Sequence, residues 1–262
     1  MRQSNSYILI FTVGLTILVG GILAGASKLL APAQQKSIER ETKSQILSAV
    51  KNLVPIQKGD DLLGIYKKRI SSMVVNYQGD EVTKDEKGDL VAEKVDILKN
   101  FKKDAKERLY PVFRLLSEGD SSKIEAYIIP VYGNGLWDKI WGYVALDATG
   151  KTIIGTSFDH KAETPGLGQR IATQEIQDRF VGKKIFNEEG KMVSVEMMKG
   201  EHGGGQSSID YYKGEDHLVD GMSGATLTGK GLNEMLKNYF KGYRKFLEKV
   251  SSGKEMAKAE SF

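Results

Sequence analysis

The sequence predicts an α+β protein: a mixed, largely antiparallel sheet with flanking helices, preceded by one N-terminal transmembrane helix. Three observations carry this expectation. An uncharged apolar run opens the chain, short segments rich in β-branched and aromatic residues fill its middle, and a strongly striped amphipathic helix lies near its end. At 262 residues, 40% hydrophobic and 27% charged, the chain suits one sizeable domain plus an appendage. The net charge of +4 is spread over mixed-sign segments, without the basic stripe and interleaved aromatics of a nucleic-acid binder. Cysteine is absent, which excludes disulfides, thiolate metal sites and a cysteine nucleophile. The three histidines, His160, His202 and His217, show no metal-ligand spacing, so no metal is expected. Hard chemistry on such a chain belongs to something it binds.

The elements follow in order. Residues 7–27, "YILIFTVGLTILVGGILAGAS", hold no charge, and about 20 apolar residues suffice to cross a bilayer as a helix. A cleaved signal peptide is the alternative, favoured by Arg2 and by Ala24-Gly25-Ala26, but the run exceeds the usual ~7–15 residues of a signal core. Lys28, Lys36, Arg40 and Lys43 after the run point the domain toward the cytoplasm by flanking charge, a signal that long domains override. Residues 34–54 put Ile38, Thr42, Ile46, Leu47, Val50 and Val54 on one helical face before Pro55. The expected division is an anchor at 1–31, a helical linker at 32–55 and a domain at 56–262. Helical spacing of Val91, Val95, Leu98, Ala105 and Leu109 predicts a second helix over 91–109. Strands are predicted at "KIEAYIIPVYG", "KIWGYVALD", "TIIGTSFDH" and "KMVSVEMMK", with "DATGK" as a hairpin turn. "GEHGGGQSS", 200–208, reads as a flexible loop without assigned function. From Leu232 an apolar stripe through Val250 marks a core-facing helix.

Two familiar site templates fail. Gly133-Asn134-Gly135 and Gly166-Leu167-Gly168 lack the rest of a dinucleotide fingerprint. "GMSGA" resembles a hydrolase nucleophile elbow, but Ala225 replaces the last glycine and no histidine follows Ser223. What remains is "DGMSGATLTG", 220–229, with Ser223, Thr226 and Thr228 at a helix start. One hydroxyl is expected to cap that helix; the others are not explained by capping. Small residues precede Thr226, and a helix N-terminus stabilises an anion, with Lys230 placed to add a charge.

The stretch "DGMSGAT" resembles the flavinylation signature Asp-x-x-(Ser/Thr)-Gly-Ala-Thr, whose last threonine is esterified to the phosphate of FMN by a transferase that uses FAD. "HKAETPGLG" at 160–168 and "YGNGLWDKIWGYVAL" at 132–146 resemble further elements of the same FMN-binding domain. With the anchor and the length, the chain resembles the C subunits of the sodium-translocating NADH:quinone oxidoreductases. The resemblance implies covalent FMN on Thr226, with Ser223, Gly224 and Ala225 beside it and Asp220 opening the recognition motif. It implies that Glu163, Thr164, Gly166, Leu167 and Gly168 line the isoalloxazine, with Trp137 nearby. It also implies electron relay in a respiratory complex, a role that needs no catalytic side chain on this chain, other subunits and a flavin transferase as partners, and a flavin domain on the extracytoplasmic side of a bacterial inner membrane. Physically, Pro165 stiffens its turn and the glycines let backbone approach a flat ring; a plain surface turn, with Trp137 in the core, is the alternative. The G subunit of an Rnf-type complex and an anchored module without redox function are rival readings.

Overall fold

The computed structural model describes residues 4–57, 59–85 and 88–253. The chain divides into two units, Met1–Thr42 and Lys43–Phe262. The described part of the first unit is helical and belongs to α1, Asn5–Ser48, which runs through Pro32 without interruption and is exposed along its apolar stretch. It is long and apolar enough to cross a membrane. Its last turn lies in the second unit, where Ile46 and Leu47 are buried. The helix expected through residue 54 therefore stops at Ser48, and turns carry the chain on to Val54.

The second unit is built on a five-stranded sheet in the order β1-β4-β5-β6-β7. The strands are β1 (Ile70–Val75), β4 (Tyr110–Leu116), β5 (Ile124–Asn134), β6 (Lys139–Asp147) and β7 (Ile153–His160), and every neighbouring pair is antiparallel. β5 shows why its sequence is almost continuously apolar: Tyr127, Ile129 and Val131 enter one core cluster, Ala126 and Ile128 the other. A strand buried on both faces cannot alternate apolar with polar. On one face packs α6, Thr226–Ser251, whose Leu232, Leu236, Tyr239, Tyr243, Phe246 and Leu247 form the predicted stripe. On the other lie Ile46, Leu47, Val50 and Val54 with Tyr66 of α2 (Leu62–Arg69), a helix started by the Asp61 carboxylate accepting from Gly64 N at 3.1 Å.

The "DATGK" turn forms as expected, with Gly150 at φ +67° and the Asp147 carboxylate accepting from Lys151 N at 2.9 Å. The helix expected over 91–109 does not form. Its place holds 3₁₀ turns at Ala92–Lys94 and Ala105–Glu107 around a short α3, Ile97–Phe101. Asp96 restarts the chain there by accepting from Lys99 N at 2.9 Å, and the Asn100 side chain is spent on the backbone of Leu109, so local caps break the run. β1 and β4 have no counterpart among the strands the sequence predicts. Of "KMVSVEMMK" only β8, Glu196–Met197, is strand, paired in parallel with β9, Leu218–Val219. The stretch 200–208 is not a plain loop: α5, Gly205–Tyr211, begins inside it, and Glu201 and His202 are bound to neighbours. An antiparallel pair of β2 (Lys84–Asp85) and β3 (Gly88–Asp89), a 3₁₀ turn at Gly168–Ala172 and the short α4 (Gln174–Asp178) complete the elements among the described residues.

Candidate functional site

Three segments meet at the start of α6. The first is the loop from β5 to β6, where Gly135 N donates to Asp138 O at 2.7 Å and Trp137 stands 68% exposed. The second follows β7. There Leu167 N donates to Thr164 O at 3.1 Å across a turn with Pro165 and Gly166 at its corners. Gly166, at φ +73°, takes the position that in a type II turn belongs to glycine, after a proline whose ring presets the one before. The third is the turn from Met222 to Ala225, closed by Ala225 N donating to Met222 O at 3.1 Å with Gly224 at φ +74°. A Cβ on Gly224 would strike the end of Leu167, so the second and third segments touch there.

Glu163 binds these segments together. It is 4% exposed, its Oε1 accepts from Trp137 N at 3.0 Å, and its Oε2 accepts from the Thr228 hydroxyl at 2.6 Å. Side chains at Gly135 or Gly168 would run into the Glu163 carboxylate, and one at Gly231 into the backbone of Asn134 and Gly135. That explains a glycine at a helical position where it would otherwise weaken the helix by about 1 kcal/mol. The Trp137 indole N–H donates to the Thr164 hydroxyl at 3.0 Å, so the ring lies outside the core, pinned at one edge.

Hydroxyl roles differ from the capping expectation. The N-cap of α6 is Ala225, which has no side-chain bond to give, and none of Ser223, Thr226 and Thr228 serves as cap. Thr228 is buried on Glu163, whereas Ser223, Thr226 and Leu227 are exposed. The first turn of α6 thus offers backbone N–H groups without a capping side chain and without an acidic residue. Gly166 has open space where a side chain would stand, and Leu167 and Leu227 are 40% and 54% exposed.

Asp220 lies elsewhere in character: it is fully buried behind the turn. Its carboxylate accepts from His202 N at 2.7 Å, pairs with the His202 ring at 2.8 Å and accepts from Gly221 N at 3.0 Å. Burial alone would raise its pKa, but hydrogen bonds from Ser208, His202 and Gly221 outweigh it and hold the carboxyl below its ordinary value. Beside it, Arg179 is 1% exposed and donates to Gly221 O, to Glu175 Oε1 at 2.9 Å and to Glu201 Oε1 at 2.7 Å. Arg170 grips both oxygens of Glu201, at 2.8 and 2.6 Å. The Arg170 hydrogen bonds, ahead of those from Arg179 and Ser223 N and against some burial, bring the Glu201 carboxyl down to about 2.

The sequence singles out Thr228 only as one hydroxyl of the helix start, not as the partner of Glu163, and Arg170, Glu175, Arg179, Glu201 and His202 are not legible as site residues from it. Glu175 and Arg179 carry one signal, the i,i+4 spacing of a helical ion pair; Glu201 and His202 carry none beyond their glycine-rich setting.

The comparisons agree with one another. The sequence pattern of a family described as FMN-binding domain matches residues 135–241. The C subunit of the Na(+)-translocating NADH-quinone reductase of Neisseria meningitidis serogroup A is 33% identical over 267 residues, covering 96% of this chain and 96% of that protein. Among solved structures, that of the Na(+)-translocating NADH-quinone reductase C subunit from Parabacteroides distasonis aligns with a TM-score of 0.67 at 32% identity, covering 83% of this chain and 96% of the other. Shewanella oneidensis NqrC aligns with the same TM-score at 26% identity, covering 82% and 99%.

Proposed function

Because the chain belongs to the family of C subunits of the Na(+)-translocating NADH-quinone reductase, an oxidoreductase complex, we propose that it is the membrane-anchored subunit that relays electrons through FMN held covalently on Thr226. The membership supports a C subunit over the G subunit of an Rnf-type complex, and the FMN-binding family pattern favours a flavin carrier over a module without redox function. FMN supplies the electron-transfer chemistry; the chain holds and surrounds it.

The carrying observation is the exposed Thr226 hydroxyl at the uncapped start of a 26-residue helix. Attachment requires that Thr226 Oγ1 attack the FMN phosphorus of FAD; the pyrophosphate bond breaks, AMP leaves, and the hydroxyl proton is released. The resulting phosphodiester keeps one negative charge, which the helix N–H groups and dipole favour by about 0.3–1 kcal/mol at an exposed end. Lys230, one turn on and exposed, adds a cation on the same side of the helix. Thr228 is a poor rival because its hydroxyl is buried and committed to Glu163. The exposed Trp137, Leu167 and Leu227 suit the flat apolar faces of the ring, and Thr164, Gly166 and Gly168 shape the turn beside it. Ser223, Gly224 and Ala225 form the approach to the attachment point. Glu163 serves this site from beneath, as the brace between its segments.

In this reading residues 1–31 anchor the chain in a bacterial inner membrane, 32–55 connect, and 56–262 form the flavin domain on the extracytoplasmic side. Other subunits of the complex and, during maturation, a flavin transferase are its partners. Mass spectrometry of the protein from its native membrane tests the proposal: a peptide containing Thr226 is expected to carry the FMN phosphoester mass. A bare Thr226 in redox-active material would overturn it. Thr226→Val is expected to abolish denaturation-resistant flavin fluorescence while the melting curve stays within about 0.5 kcal/mol of wild type, as for an exposed substitution.

A further inference from the structure

Main-chain polar groups ahead of Thr226 are tied down by side chains from outside α6. Gly221 N donates to Asp220 Oδ1, the carbonyls of Asp220 and Gly221 accept from Arg179 Nη1, and Ser223 N donates to Glu201 Oε2 at 3.0 Å. Glu201 is thus the side chain that reaches the exposed turn itself. It is held in turn by Arg170 and by Arg179, and Glu175 completes the cluster by pairing with both guanidinium groups and accepting from Gly205 N at 3.0 Å.

Such a cluster is a poor way to gain stability, since desolvating the buried Arg179 offsets much of what its partners return. What it does supply is a single main-chain conformation. The segment bearing Glu201 and His202 is delivered by the parallel β8–β9 pair, with Met198 N donating to Val219 O at 2.9 Å. It lies so close to the turn that a Cβ on Gly221 would strike the carbonyls of Met198 and Gly200. Glycines 200, 203, 204 and 205, which flank Glu201 and His202 on both sides, all have positive φ, a backbone conformation that favours glycine.

We propose that Glu201 is a positioning residue for flavin attachment: by accepting from Ser223 N while locked by Arg170 and Arg179, it fixes the Met222–Ala225 turn and so the direction of the Thr226 hydroxyl presented to the transferase. The proposal rests on the reading that FMN is attached at Thr226. A nucleophile displaced by an ångström loses on the order of 100-fold in rate, which makes a turn brace worth a buried ionic cluster.

The test uses the purified full chain in detergent, the flavin transferase and FAD, with covalent FMN per chain followed by intact mass. Circular dichroism verifies that each variant is folded at the assay temperature. Glu201→Ala is expected to lower the rate roughly 10-fold or more, mainly in kcat, and to speed amide exchange at Ser223. Glu201→Gln keeps an acceptor oxygen for Ser223 N and is expected to recover most of the rate and of the exchange protection. Modification of Glu201→Ala at the wild-type rate overturns the proposal. Equal slowing of the Ala and Gln variants overturns it too, because the charge cluster rather than the bond to the turn would then matter. A wild-type chain left bare at Thr226 overturns the attachment reading itself, and the proposal with it.

Discussion

Thr226 and Thr228 are two residues apart, yet their surroundings assign them opposite work. Thr228→Val removes the donor at 2.6 Å from a buried Glu163 oxygen, and an acceptor left without its partner costs about 1–3 kcal/mol. Urea unfolding should show that loss with flavin still attachable at Thr226; an unchanged midpoint would mean that Glu163 finds another donor. Acid sensitivity is set nearby. Glu201 titrates at about 2 when folded against an ordinary 4.5, so the unfolded chain binds its proton at higher pH than the folded chain. Its contribution is complete above the ordinary value and drains away as pH falls toward about 2, in the same direction as those of Glu175 and Asp220. Melting temperature should therefore fall between about pH 5 and pH 2.5, and Glu201→Gln should flatten part of that slope. None of these partnerships can be read from the sequence, because Glu163 meets Thr228 across 65 positions and Arg179 meets Glu201 across 22. The attachment motif is legible because its residues are contiguous.

Of the two glycines near the start of α6, at 229 and 231, only one is there for want of room. At Gly231 a Cβ would meet the backbone of Asn134 and Gly135, which cannot yield, whereas at Gly229 the nearest atom is Met197 Sδ at 3.2 Å, the end of a flexible side chain. Gly231→Ala is expected to destabilise despite the better helix propensity of alanine, and Gly229→Ala to be neutral or stabilising by up to about 1 kcal/mol. Chemical denaturation of the two variants checks the contrast; a stabilised Gly231→Ala would show that the β5–β6 loop is not pressed against the helix. The same locality explains which elements the sequence reveals. The β5–β6–β7 meander is readable from its apolar segments and tight turns, and α6 from its stripe. The false helix over 91–109 has apolar spacing, but Asp96 and Asn100 spend their side chains on nearby backbone and cut it into short turns. β1 pairs with β4 across a stretch of more than 30 residues, a partnership that no local window contains.

At the scale of the molecule, the last turn of α1 and the turns that follow it belong to the folded unit. Ile46, Leu47, Ala49, Val50 and Val54 are buried against the sheet, and each large aliphatic among them contributes about 1.5–3 kcal/mol. Their sum rivals the ~5–15 kcal/mol stability of an ordinary domain. Removing residues 1–31 should release a folded protein from the membrane fraction, while removal through residue 54 should yield an unfolded or aggregated one. Cell fractionation and circular dichroism distinguish the two, and a folded shorter fragment would refute this division of labour.

Of the two tryptophans, Trp141 sits within β6 against the main core and Trp137 stands in the open, fastened by its indole nitrogen to Thr164. A yellow chromophore brought beside that exposed ring would drain its ultraviolet emission by resonance transfer. The molecule therefore carries its own lamp at the doorway, and its dimming would follow loading in real time without any added label.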